Sequence, residues 1–255
     1  MSRESLFIKL RQTIAKVPGA RRWYESLRLL LAPSYNEDGL VTIHNADFLR
    51  DPQFVRAYEA ALAMQPKTFL RWRAHVTQWA GYHAKNLAGD FVECGVNRAF
   101  LSTSVINYID FRLLHPRKFF LFDTYCGLVR ELITPDDRAA YRNHYADSYD
   151  FVQESFKDYE NVVVVKGVVP DSLSTVAIDK VAYLSIDMNC VQPEVAALKY
   201  FWPRIVSGGV IILDDYGFSG HEAQKKGADK FASSKGVKIL SLPTGQGLLV
   251  KPSDL

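Results

Sequence analysis

The chain has 255 residues, 48% hydrophobic and 23% charged, an ordinary globular composition long enough for one large α/β domain plus an appendage. Its net charge of +3 is too small for the dense basic stripe of a nucleic-acid binder, so no nucleic-acid partner is expected. Three cysteines, Cys94, Cys126 and Cys190, form no CxxC pair, which argues against a disulfide framework and for a reducing cytoplasm; no apolar run approaches the ~20 residues of a membrane helix.

Residues 4 to 31 read as helical, broken at Pro18-Gly19, with Leu6, Leu10, Ile14, Leu27, Leu30 and Leu31 on roughly helical spacing. The stretch MSRESLFIKLRQTIAK has no small-residue cleavage site and does not read as a signal peptide. Arg21, Arg22 and Arg28 leave two readings open, a membrane-surface helix or, more commonly, a helix packed on the body or on a second subunit. Pro33 to Gly39 reads as a turn or linker. Asp51-Pro52 opens a helix with Pro at its first position, and a second helix is expected over about 67–87, carrying Phe69, Trp72 and Trp79. These aromatics suit a buried core, a lid or a dimer surface. The division expected is a helical extension or lid over 1–88 and a ligand-binding domain over 89–255.

From Gly89 the pattern changes. Apolar runs at 90–94, 118–122, 162–165, 181–186 and 210–213 alternate with helical stretches, which predicts a mostly parallel sheet covered on both faces. The last two runs, 238–241 and 247–250, are separated by Leu242-Pro243-Thr244-Gly245-Gln246, too short for a parallel crossover, so an antiparallel hairpin is expected. A parallel sheet ending in an antiparallel pair is the pattern of Rossmann-like class I methyltransferases.

The first run leads into Glu93-Cys94-Gly95-Val96-Asn97-Arg98-Ala99. Ligands of open α/β sheets sit beyond the carboxyl ends of the strands, and Gly95 lets one approach the backbone. Glu93 suits a cation such as the sulfonium and amino groups of S-adenosylmethionine better than a pyrophosphate. Ala99 replaces the third glycine of a dinucleotide fingerprint, which weakens the alternative of an NAD(P)-dependent oxidoreductase. Asp123 ends the next run, where an acid can accept from both ribose hydroxyls or simply cap a helix. Gly167 ends the third run, where an adenine would lie.

The fourth run ends at Asp187 and the fifth at Asp214-Asp215, so three carboxylates converge on one edge of the sheet. Such a cluster repels itself unless protonated or neutralised, and Mg²⁺ with its oxygen ligands would neutralise it and lower the pKa of a bound hydroxyl. Helix caps and a lysine partner are the plainer alternatives. His144, within an insertion at 129–158 that can form a lid, and His221, just after the Asp-Asp-Tyr turn, are alternative bases; Gln246 can approach the acceptor.

The segments GDFVECGVNR (89–98), FDTYCGL (122–128), SIDMN (185–189) and SGGVIILDDYG (207–217) resemble the macrocin O-methyltransferase family of sugar methyltransferases, over roughly residues 36 to 252. The resemblance implies that Glu93 and Gly95 line the methyl donor, that Asp123 holds its ribose, and that Asp187, Asp214 and Asp215 hold Mg²⁺, with Asp187 as the base; Arg98 and Asp187 are further candidates for the donor site. The chain departs from the family at Arg98-Ala99-Phe100-Leu101-Ser102, where a glycine-rich stretch is usual, and at Asn189 and Val191, where a second acid and a tyrosine are usual. A small-molecule or glycan acceptor, a natural-product sugar or surface polysaccharide, is expected, and a homodimer is possible. A degenerate methyltransferase fold serving as a scaffold is the non-enzymatic alternative.

Overall fold

The computed structural model describes residues 20–137 and 145–253. The expected helix before Ala20 and the candidate base His144 lie outside the described residues. The chain divides into two compact units, Met1–Leu49 and Arg50–Leu255.

In the smaller unit, helix α1 (Ala20–Leu31) is followed by a hairpin of β1 (Tyr35–Glu37) and β2 (Leu40–Thr42). Asp38 and Gly39 form its two-residue turn with φ of 52° and 74°, the left-handed pair that matches the twist of a hairpin. The segment expected as a turn or linker is therefore a small sheet. Its strands are three residues long, too short to show alternation.

In the larger unit, α2 (Pro52–Met64) starts as expected: the Asp51 carboxylate accepts from the amides of Gln53 (2.7 Å) and Phe54 (3.4 Å), and Pro52 needs no partner for its nitrogen. Helix α3 (Arg71–Ala84) presents Ala74, Ala80, Gly81 and Ala84 inward. A side chain at Gly81 would meet Val105 Cγ1 at 2.6 Å, so small residues let α3 lie close to the next helix. Among the expected core aromatics Tyr58 is buried, whereas Trp79 and Phe69 are 48% and 64% exposed.

The sheet follows: β3 (Asp90–Cys94), α4 (Phe100–Tyr108), β4 (Phe119–Asp123), α5 (Tyr149–Phe156), β5 (Val162–Lys166), β6 (Val181–Ile186), α6 (Val191–Phe201), β7 (Ile205–Leu213), α7 (Glu222–Ser234), β8 (Leu240–Ser241) and β9 (Gly247–Val250). Its seven strands run in the order β5-β4-β3-β6-β7-β9-β8. The first five are parallel, and β9 pairs antiparallel with both β7 and β8. This is the class I methyltransferase arrangement. Alternate residues of each strand feed two cores: Val92, Phe122, Leu184 and Ile211 pack with α6 and α7, and Phe91, Leu121, Tyr183 and Ile212 pack on the other face with α3 and α4. Helices α2 and α3 belong to the same compact unit as the sheet.

The chain travels outward from β3 through β4 to β5, then returns to the other side of β3 as β6. The strand order therefore reverses between β3 and β6, and the crevice beyond their carboxyl ends is where open α/β sheets bind ligands.

Candidate active site

Gly95 follows β3 with φ of 88°, and a Cβ there would lie 1.9 Å from the Asp187 carbonyl oxygen. Only glycine lets the tips of β3 and β6 come this close, and the Asp187 amide donates to the Cys94 carbonyl at 2.8 Å. In the loop that follows, Asn97 and Ala99 both take positive φ, 50° and 60°. Ala99 thus occupies the left-handed conformation that the missing glycine would take without strain.

Asp123 holds this loop. One carboxylate oxygen accepts from the amides of Val96 (2.6 Å) and Asn97 (2.7 Å), the other from the amide of Tyr125 (2.7 Å). Gly95, Asn97, Asp123, Gly167, Asp187 and Met188 line one cleft over the carboxyl ends of β3, β4, β5 and β6. A Cβ on Gly167 would meet Ser172 Cβ at 2.7 Å, which explains the glycine. Arg98 does not join them: its Nε donates to the Met64 carbonyl at 2.9 Å and its guanidinium lies 3.9 Å from the centre of the Phe151 ring. It ties α2 to the start of α4, and lines neither cleft.

A second cleft is lined by Arg73, Glu93, Asn97, Asp187, Asp214 and Asp215 among others. Candidate ligand oxygens of Asp187, Asp214 and Asp215 all lie within 4.8 Å of one another. Asp214 is 2% exposed; its Oδ1 accepts from Gln246 Nε2 at 2.9 Å, and its Oδ2 pairs with Arg73, whose guanidinium lies 4.8 Å from the centre of the Phe218 ring. Asn189 Nδ2 donates to Asp187 Oδ1 at 3.2 Å. Burial, then the charges of Asp214 and Asp215, push Asp187 well above the ordinary carboxylate range, against the pull of Arg73. The oxygen-only donor set and this crowding fit a hard divalent cation.

Glu93 was expected beside the methyl donor, but it lines the acidic cleft and not the first one. Its carboxyl is pushed up to about 8 by burial, partly opposed by the Ser102 hydroxyl that donates to it. His221 is buried, with Nδ1 3.4 Å from Asp215 Oδ2 and 3.0 Å from Gln224 Nε2; burial lowers its pKa and favours the neutral ring. The cysteines are free, Cys94 and Cys190 buried at strand and loop ends and Cys126 exposed.

Arg73 carried no signal in the sequence, since it meets Asp214 across 141 positions. Ser102, nine positions after Glu93 and at the start of α4, meets it across the loop that joins β3 to α4. The two clefts share Asn97, Asp187 and Asn189, so the first cleft and the acids meet at the tip of β6.

The family model for macrocin-O-methyltransferase (TylF) matches residues 71–239. A curated relative, the demethyldecarbamoylnovobiocin O-methyltransferase of Streptomyces niveus, is 31% identical over 144 residues, 51% of this chain and 54% of the relative; the chain thus spans about half the length of that relative. Among solved structures, the O-methyltransferase NovP superposes with a TM-score of 0.61 at 23% identity, covering 71% of this chain and 79% of its own. The calicheamicin methyltransferase CalS11 superposes with a TM-score of 0.59 at 13% identity, covering 92% and 93%. At these identities the two structures bear on the fold. With the family model matching residues 71–239, well over half of its length, the chain belongs to the macrocin-O-methyltransferase family.

Proposed function

We propose that the chain is an S-adenosylmethionine-dependent O-methyltransferase that methylates a hydroxyl of a sugar, on a glycosylated small molecule or a surface glycan. The observation that carries this reading is the meeting of the two clefts at Asn97, Asp187 and Asn189. The donor belongs in the first cleft, with Gly95 giving it access to the backbone, Asp123 facing its ribose and Gly167 its adenine; the acceptor belongs among the acids. The relative that acts on a novobiocin precursor supports a glycosylated acceptor. No helix among the described residues is long and apolar enough to cross a membrane. We take residues 89–255 as the donor-binding part, with the preceding helices shaping the acceptor side; a cytoplasmic location and a homodimer are part of the same reading.

S-adenosylmethionine would supply an electrophilic methyl on sulfur, and Asp187, Asp214 and Asp215 would hold a Mg²⁺ ion whose charge would lower the pKa of the acceptor hydroxyl. The protein aligns the acceptor oxygen with the methyl carbon for in-line displacement. In that displacement the acceptor oxygen would take the methyl as the carbon–sulfur bond breaks with its electron pair left on sulfur, and Asp187 would take the hydroxyl proton. Arg73 and Gln246 fix Asp214 from two sides, so the acceptor does not have to order it. Among the described residues His221, held against Asp215 with burial favouring its neutral ring, is the alternative candidate base.

Calorimetry with S-adenosylhomocysteine, followed by methyl transfer to a panel of glycosides with and without EDTA, tests the reading. Asp215→Ala is expected to abolish metal-dependent turnover while leaving donor affinity within about twofold, since it lines only the acidic cleft. Full turnover in EDTA would remove the cation from the mechanism, and no S-adenosylhomocysteine binding would overturn the donor assignment.

A further inference from the structure

Asp137 is fully buried at the end of the Thr134–Asp137 turn. Its Oδ2 accepts from the amide and the hydroxyl of Thr134, at 2.8 and 2.7 Å, and its Oδ1 accepts from the amide of Val191 at 2.9 Å, across 54 positions. Val191 is the first residue of α6, whose own cap residue, Cys190, makes no side-chain cap bond. The helix start is therefore capped by a carboxylate from the insertion, and negative charge there is favoured by the helix dipole. The segments joined by this bond are the two walls of the first cleft: Val129 and Leu132 precede Asp137 on one side, and Met188, Cys190 and Pro193 surround Val191 on the other. A carboxylate with no solvent exposure needs all of its partners, so this one holds the walls at the spacing that satisfies both.

We propose that Asp137 is a positioning residue of the donor cleft, a staple that sets its width and couples donor binding to the start of α6. The proposal rests on the reading of that cleft as the methyl-donor site.

The test uses the full chain with Asp137→Ala, Asp137→Asn and, as a control of equal charge change, Asp136→Asn at the exposed neighbour. Hydrogen exchange of the Val191 amide is measured without and with S-adenosylhomocysteine, and affinity for that molecule by calorimetry. Loss of a capping carboxylate predicts about tenfold faster Val191 exchange and about tenfold weaker binding in Asp137→Ala. Asp137→Asn, with one accepting oxygen for two sets of donors, falls between; it carries the test should the alanine variant not fold. In the wild type and in Asp136→Asn the ligand slows Val191 exchange further, and in Asp137→Ala it does not, a response that general loosening does not produce. Unchanged exchange or unchanged affinity in the folded Asp137 variants overturns the proposal. Failure of the wild type to bind S-adenosylhomocysteine sinks the donor reading and the coupling with it, while unliganded exchange still reports whether the staple exists.

Discussion

Gly95 has room for a hydrogen and nothing larger. With Asp187 O 1.9 Å from the position of its missing Cβ and φ at 88°, Gly95→Ala must push β3 and β6 apart at their tips. Donor affinity is expected to fall at least about tenfold, read by calorimetry, with a loss of stability of about 1–3 kcal/mol from the forced positive φ and the clash. Near-native affinity in that variant would mean the tips part without consequence. Glu93 makes a different prediction. Its folded-state pKa of about 8 lies above the ordinary 4.5, so its contribution to stability is whole below the lower value and is lost as pH climbs through the higher one. The unfolding midpoint in chelated buffer should fall between about pH 5 and pH 8, less steeply in Glu93→Gln; equal slopes would show that Glu93 is ionised throughout. Asp187 and Glu194, also raised by burial, contribute in the same direction. At this scale the placement of Gly95 at a strand tip and the gathering of Asp187, Asp214 and Asp215 were legible, because a strand end followed by glycine or acid is a local pattern. Arg98 was misplaced because the sequence shows that it follows the glycine but not that it turns to Met64 and Phe151.

At the scale of elements, strands were legible where burial on both faces makes them continuously apolar, as in β3 and β6, whose observed bounds match the expected runs. The start of β7 was not. Ile205–Gly209 carries Ser207-Gly208-Gly209, which reads as a turn, yet it pairs through an irregular register in which Gly208 takes φ of 77°. The hairpin of β1 and β2 was hidden for the same reason, its Asp-Gly turn outweighing three-residue strands. Helix α2 was read correctly because its signals are chemical: Asp51 caps two amides and Pro52 follows. Asp51→Ala should cost about 1 kcal/mol, seen as a lowered denaturation midpoint with an unchanged denaturant slope. No loss would mean that α2 is held by packing of Phe54, Tyr58 and Ala61 alone.

Across the whole molecule, the acidic cleft depends on contacts that no local pattern announces. Arg73 on α3 pairs with Asp214, and both are largely buried, with side-chain exposures of 12% and 3%. Arg73→Met keeps the stem and removes the charge, leaving Asp214 with Gln246 but no cation, and should cost about 3–5 kcal/mol in metal-free buffer. Added Mg²⁺ should restore part of that loss if the three acids take the cation, and a variant as stable as the wild type in chelator would show that the pair contributes little.

The Gln246–Asp214 bond also sets an order of events during synthesis. Every residue lining the first cleft lies between Gly95 and Pro193, whereas Asp214 awaits a side chain 32 positions further on, carried by the final hairpin. On the ribosome, the first cleft has all its lining before the acidic cleft has its last support. A nascent chain stalled short of residue 246 therefore carries an acid cluster missing one of its two braces.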